Sequence, residues 1–361
     1  MKVAIVGAGL SGLACAHELK RHGIIPTIFE KKGYVGEILE LPAISLDIFN
    51  AVVRDPLKYL EDEFKLKLYA HYELNEIVMV SPTKTHTVKG KMGSIILRGR
   101  EKGYITIQLK EAVNLPYTLN TLAKLEEIKN DFDHIFIGAG TMDIPLQMNL
   151  AKVCFDGYVR IANILGDFKT NSVKVWMNTK YAKHGYAYQV PVNNKSACLV
   201  LIVDNIQENE LDYYWNEFIT TEKIAYDIIE TKDLRHTVGF VSPIQVDNLY
   251  FMGNAGGFLD SMLGFGSEAA MISGVTAANC MVKGLDYNKA MEKFTKDIQS
   301  KYEFRKVFNT FDNDAMDLFC SVENLPVIKQ FMFNNPLLKA TYGTFFAKIY
   351  NSVVNSETKS Q

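Results

Sequence analysis

The sequence predicts an α/β fold: a Rossmann-like domain with a parallel sheet, interleaved with a mixed or antiparallel β-sheet domain, and a C-terminal helical tail. Three observations predict it. An apolar run, Lys2 to Val6, leads at once into Gly7-Ala8-Gly9-Leu10-Ser11-Gly12 and then into helical spacing. A second apolar run, Ile24 to Phe29, ends on Glu30. The strand-then-glycine signature returns at His134-Ile135-Phe136-Ile137-Gly138-Ala139-Gly140 and at Leu249-Tyr250-Phe251-Met252-Gly253.

The first thirty residues carry the strongest signal. Strand, glycine turn, helix, strand and acid follow in the order a dinucleotide site requires. Gly7 permits the tight turn, Gly9 lets backbone approach a pyrophosphate, and Gly12 lets the helix pack close to the strand. Phosphates then meet the N–H groups at the positive end of the helix. The helix buries Leu13, Ala16 and Leu19, and closes on Lys20-Arg21-His22 with Gly23 as its cap. Glu30, eighteen residues after Gly12, stands where an acid accepts hydrogen bonds from a ribose. Lys31 opens the loop that continues to Glu37.

Farther along, Ile44 to Phe64 reads as helix with a break or new start at Pro56. Short strands are expected at Ile77–Val80, His86–Lys89, Ser94–Leu97 and Tyr104–Leu109, separated by glycine and proline turns. Leu119 to Lys129 is a short helix candidate. Strands return at Tyr158–Ile161, Val173–Met177, Tyr186–Val190 and Ala197–Val203, and Leu211 to Glu230 reads as helix. Gly264-Phe265-Gly266 opens a helix from Ser267 to Val282, and the remainder is helical. These elements give a discontinuous nucleotide-binding domain (1–75, 131–150 and 246–285), a substrate domain (76–130 and 151–245) and a C-terminal helical region (286–361).

Composition narrows the function classes. The chain has 361 residues and a formal net charge of −2, and without a basic stripe nucleic acid is not an expected partner. Five scattered cysteines, with no CxxC, fit reduced thiols and a cytoplasmic setting better than a disulfide framework or zinc site. The histidines show no metal spacing, so no metal is expected. The apolar N-terminus reads as structure rather than a processed segment, because glycines 7, 9 and 12 interrupt it. Within Pro336 to Val354, aromatic and basic residues mix. That tail is either an amphipathic helix packed on the substrate domain, the favoured reading, or a peripheral membrane contact.

The stretch Val246 to Asp260, with Gly253-Asn254-Ala255-Gly256-Gly257, resembles the strand-Gly-Asp-Ala-Ala-Gly motif of a group of FAD flavoproteins. That group includes para-hydroxybenzoate hydroxylase, the flavin halogenases and the geranylgeranyl reductases. The likeness is closest to the geranylgeranyl reductases, whose Tyr-x-Trp-x-Phe-Pro strand is similar to Tyr186-Ala187-Tyr188-Gln189-Val190-Pro191. The resemblance implies extended FAD held at both glycine sites. Glu30 would hold the adenosine ribose, Gly253 and Asn254 of the second glycine turn would approach the ribityl chain and pyrophosphate, and Gly140 is a further cofactor-binding candidate. The helix behind Gly264, Phe265 and Gly266 would aim its positive end at the flavin pyrimidine. Arg98 is the candidate flavin-contacting arginine, with an exposed turn arginine as the equal alternative. There are departures: Asn254 replaces the family's acid, Gly140 stands where an acid is usual, and the loop Tyr34-Val35-Gly36-Glu37 lacks a thiol.

The resemblance thus implies an FAD-dependent oxidoreductase. It would reduce C=C bonds of an apolar isoprenoid- or lipid-like substrate by hydride transfer from flavin N5, with NAD(P)H or a ferredoxin as electron donor. Glu37 is the expected proton donor, ahead of Tyr186, Tyr188 and His184. The alternatives are an FAD monooxygenase or halogenase, and an FAD-binding protein without redox turnover.

Overall fold

The computed structural model describes residues 1–36 and 41–322. Glu37 and the tail beyond residue 322, which includes the 336–354 segment, lie outside the described residues. Along the chain run β1 (Val3–Val6), α1 (Leu10–Arg21), β2 (Thr27–Phe29), β3 (Pro42–Leu46), α2 (Pro56–Phe64), β4 (Tyr72–Val80), β5 (Thr85–Leu97) and α3 (Ile105–Val113). Then follow α4 (Leu125–Ile128), β6 (His134–Ile137), α5 (Asp143–Gln147), β7 (Ala151–Leu165), β8 (Ser172–Trp176), α6 (Thr179–Ala182), β9 (Tyr186–Pro191) and β10 (Ser196–Asp204). The last are α7 (Leu211–Thr221), β11 (Asp227–Val241), β12 (Gln245–Val246), β13 (Leu249–Phe251), α8 (Ser267–Lys283), α9 (Tyr287–Ala290), α10 (Glu292–Phe308) and α11 (Asn313–Val322).

A five-stranded sheet has the order β12-β13-β6-β1-β2. Its β13, β6, β1 and β2 are parallel, so the strand ends before Gly7, Gly138 and Gly253 come side by side. This is why three glycine-rich turns far apart in sequence meet at one edge. Helices α1 and α8 cover one face, with Leu13, Leu19, Met271 and Val275 buried there. Their approach is close: a Cβ added at Gly274 would lie 2.1 Å from the Ser11 carbonyl oxygen.

An eight-stranded sheet has the order β11-β7-β10-β9-β8-β4-β5-β3, with only β4 and β8 parallel. It curls, so that Ile44 of β3 and Val88 of β5 face the same cavity as Tyr186 and Tyr188 of β9. Residues of α10 and α11, among them Phe304, Phe308 and Met316, close the inner face. The outer face is covered by Tyr181 and Ala182 of α6 and by Trp215 and Phe218 of α7.

Several elements differ from the expectation, each for a physical reason. Residues 44–64 are not one helix. Pro42–Leu46 pairs with β5 as a strand, and the helix starts at Pro56, where Asp55 accepts a hydrogen bond from Lys58 N–H at 3.0 Å. Tyr104–Leu109 was expected as strand from its β-branched alternation. It lies instead at the start of α3, which buries Ile105, Leu109 and Val113 at helical spacing in the core shared with α1. Packing overrides propensity there. The 85–97 stretch is one strand rather than two, because Gly93 replaces a turn with a close approach: a Cβ would meet the Ser45 carbonyl at 1.9 Å. The expected helix at 119–129 is confined to Leu125–Ile128. The 211–230 helix stops at Thr221, and β11 pairs along β7 from Asp227 onward. β11 is an exposed edge strand, so polar cross-strand pairs such as Arg160–Asp233 and Arg235–Asp156 replace a hydrophobic alternation.

Candidate cofactor and substrate site

The Gly7–Gly12 turn is built by contacts that exclude side chains. Gly7 has φ +100, and a Cβ there would sit 2.4 Å from the Gly138 carbonyl oxygen. A Cβ on Gly12 would lie 1.9 Å from the Gly7 carbonyl oxygen, which locks turn and helix together. Gly9 differs: a Cβ there meets no atom within 4 Å. The turn is therefore packed at both ends and open in its middle, at the N-cap of α1. Leu10 and Ser11 are buried under it. Ser11 is the meeting point of the three turns, since Cβ atoms added at Gly138 and Gly253 would each come within 3 Å of its Oγ.

Glu30 is 5% exposed. Its carboxylate accepts the Ala8 N–H and the Lys32 N–H, each at 3.0 Å, so it fixes the glycine turn and the following loop together. A carboxylate accepts about four hydrogen bonds, and capacity remains after these two. Lys31 is exposed beside it. At the second turn, Asn254 Nδ2 donates to the Gly140 carbonyl at 3.0 Å, while its Oδ1 is buried with no hydrogen-bond partner. Gly140 has φ +77 and open space where a Cβ would be.

The Gly264-Phe265-Gly266 turn is shaped by Asp260. Its Oδ1 accepts the Met262 and Leu263 N–H groups, and its main chain bonds Phe265 and Gly264. Gly264, at φ +74, lies against the His236 imidazole, which burial pushes down to a pKa of about 4. Gly266 is the N-cap of α8. Phe265 makes an edge contact with Tyr188 at 5.8 Å, and the Tyr186 hydroxyl donates to the Leu263 carbonyl. The aromatic strand β9 is thereby attached to the glycine turn.

Two cavities meet at this turn. One, of about 180 Å3, lies inside the curled sheet and is lined by Ile77, Val175, Met177, Tyr188, Phe304 and other apolar side chains. The other, of about 90 Å3, lies at the N-terminus of α8, between Ala43–Val53 and Gly266–Ala269. Lys301 stands in the wall of both, paired with Asp297 at 2.7 Å and Asp260 at 3.1 Å and donating to the Phe49 carbonyl. Burial opposes its charge, but the two carboxylates outweigh burial and raise its pKa above the ordinary lysine value.

The structure thus gathers Gly7 to Gly12, Glu30, Gly140, Gly253 and Asn254 at one sheet edge, with Gly264 to Gly266 beyond them. Arg98, half-buried after β5, lines a separate cavity of about 240 Å3 with Pro42, Tyr104 and Asn163, within electrostatic reach of Tyr188. The His184 imidazole pairs with Asp204 and does not line these cavities, while its carbonyl accepts from Arg305 of the apolar cavity wall at 2.6 Å. Lys301, Asp297, Ser45 and Glu268 were not found from sequence. Ser45 and Glu268 are 223 positions apart, and no local spacing announces the pair.

Comparisons agree with this geometry. Residues 5–37 match the model of the NAD(P)-binding Rossmann-like domain. Thirty-five residues are 54% identical to mitochondrial protoporphyrinogen oxidase of Nicotiana tabacum, covering 10% of this chain and 7% of that enzyme. A geranylgeranyl bacteriochlorophyll reductase-like protein from Thermoplasma acidophilum superposes with a TM-score of 0.71 at 14% identity, over 94% of this chain and 96% of that one. A flavin-dependent brominase gives 0.64 at 14% identity over 100% and 99% of the two chains. A tetracycline destructase gives 0.60 at 14% identity over 94% and 98%. The chain opens on a stretch similar to a Rossmann-like nucleotide-binding domain and has the fold of these reductase-like and flavin-dependent proteins.

Proposed function

We propose that the chain is an FAD-dependent oxidoreductase that reduces C=C bonds of an apolar, isoprenoid- or lipid-like substrate. The observation that carries the substrate class is the apolar cavity of about 180 Å3 inside the curled sheet, ending at the Phe265 turn. Three features fit FAD. The middle of the Gly7–Gly12 turn is open to a pyrophosphate. The unpartnered Asn254 Oδ1 accepts a ribityl hydroxyl. The N-terminus of α8 faces a cavity, where its dipole favours negative charge.

Bound flavin would supply the hydride, after reduction either by hydride from NAD(P)H or by two single electrons from a ferredoxin-type donor with a proton from water. The chain supplies the rest. Glu30 holds the turn and meets the adenosine ribose. Gly140 and Asn254 take the ribityl region. The apolar wall of Val175, Met177 and Phe304 excludes water and orients the substrate chain. A peripheral membrane contact by the tail would suit a lipid-like substrate.

The test is direct. The purified protein is expected to be yellow, with the flavin absorption band. A colourless protein that also fails to take up added FAD overturns the proposal. Mixing the anaerobically reduced protein with oxygen separates this reading from a monooxygenase or halogenase. A long-lived oxygen adduct of the cofactor supports the latter.

A further inference from the structure

Glu268 is an acid in an unusual place. It stands in the first turn of α8 and lines the cavity of about 90 Å3 at that helix end. Ser45 Oγ donates to its Oε2 at 2.6 Å, and Asn50 Nδ2 donates in turn to Ser45 Oγ at 3.3 Å. The acid is thus held in one orientation by the β3 segment. The helix dipole alone would favour its charged form. Its surroundings do not. Burial pushes the carboxyl up to about 7, with Asp47 and Asp55 adding to the rise and the Ser45 and Asn50 hydrogen bonds opposing it. The other charged groups on the cavity wall are Asp260 of the glycine turn and Asp297 and Lys301 of α10, and Lys301 pairs with both aspartates.

We propose that Glu268 is a redox-linked proton site, which takes a proton from solvent when the flavin at the α8 N-terminus is reduced. The idea rests on the FAD reading above. Hydride arriving from a nicotinamide donor carries two electrons and one negative charge into the site. A second carboxylate charge beside it is unfavourable at close range. Glu268 balances that charge by binding one proton from water. On substrate reduction the balance reverses: one carbon of the double bond receives the hydride and the other a proton. The flavin is reoxidised, and Glu268 returns its proton to the site or solvent. A carboxyl poised near neutrality does this with the least cost in either direction.

The experiment measures protons bound per two electrons, from the pH dependence of the bound FAD midpoint potential, in wild type, Glu268→Gln and Ser45→Ala. Wild type is expected to bind one proton more than Glu268→Gln from about pH 7 upward, until Glu268 is deprotonated in both redox states. Ser45→Ala removes a donor that favours the carboxylate, so it is expected to keep the extra proton and move its window to higher pH. It also serves if Glu268→Gln does not fold. Equal proton counts in wild type and Glu268→Gln, or an unmoved window in Ser45→Ala, overturn the proposal.

Thermal unfolding of FAD-free protein against pH separates the two readings. The folded pKa of Glu268 is raised, so its stabilising contribution is full at low pH and is lost as pH rises through about 7. Glutamine mimics the protonated acid. Glu268→Gln should therefore match wild type below the ordinary carboxyl value of 4.5 and gain on it as pH rises to about 7. If that gain is seen and no FAD binds, the flavin reading fails and the proton role falls with it. A gain that does not vary with pH overturns the poised acid itself, whatever the cofactor.

Discussion

Glu30 has two structural duties besides any ligand. It accepts the Ala8 and Lys32 N–H groups, and so couples the glycine turn to the next loop. Glu30→Ala is expected to weaken FAD binding by about 1–3 kcal/mol, the cost of losing charge-assisted hydrogen bonds. Calorimetric titration with FAD checks this, and unchanged affinity would remove Glu30 from the adenosine site. Asn254 shows the same economy in a different way. Its Nδ2 donates to the Gly140 and Thr237 carbonyls, while Oδ1 stays buried and unpartnered. The residue-scale signals near the N-terminus were legible because turn, helix and acid are adjacent in sequence. Ser45, Glu268 and Lys301 were not, since each acquires its role from a partner more than forty positions away or on another element.

At the scale of elements, α1 and α8 depend on small residues at their crossing. Gly274→Ala places a methyl 2.1 Å from the Ser11 carbonyl oxygen, so the helices must part. The expected loss is about 1–3 kcal/mol, measured by urea unfolding. The start of α2 is set by Asp55 and Pro56, and Asp55→Ala should cost about 1 kcal/mol in the same assay. Lys301 ties α10 to the Asp260 turn and to the Phe49 carbonyl. Lys301→Met leaves two carboxylates in the cavity wall without their cation, and a loss of about 3–5 kcal/mol is expected. Element errors in the sequence reading share one cause. Short runs such as Tyr104–Leu109 satisfy both periods, and only the neighbour against which they pack chooses between them.

For the whole molecule, the curled sheet is the decisive object. Taken singly the strands range from fully buried β9 to largely exposed β11, and none encloses a space. Curling brings β3 and β5 round to face β9, and the space between them becomes the apolar cavity. Val175→Trp should fill that cavity from its β8 wall. An apolar fluorescent dye, bright on leaving water, is expected to bind wild type and to lose most of its signal with this variant, while FAD uptake is unchanged. Equal dye binding in both proteins would place the apolar ligand elsewhere.

By itself the sequence determined the dinucleotide unit at residues 3–30, the parallel strands that end at Gly138 and Gly253, and the helix behind Gly266. Those features are local: a glycine turn declares itself within a dozen residues, because steric exclusion and helix capping act between near neighbours. Only the tertiary structure decided that the turns converge on Ser11, that residues 42–46 and 227–241 are strands of one curled sheet, and that Glu268 shares a cavity with Ser45 and Lys301. Those facts depend on long-range pairing and burial, which set both the shape of the cavity and the charge of the acid within it.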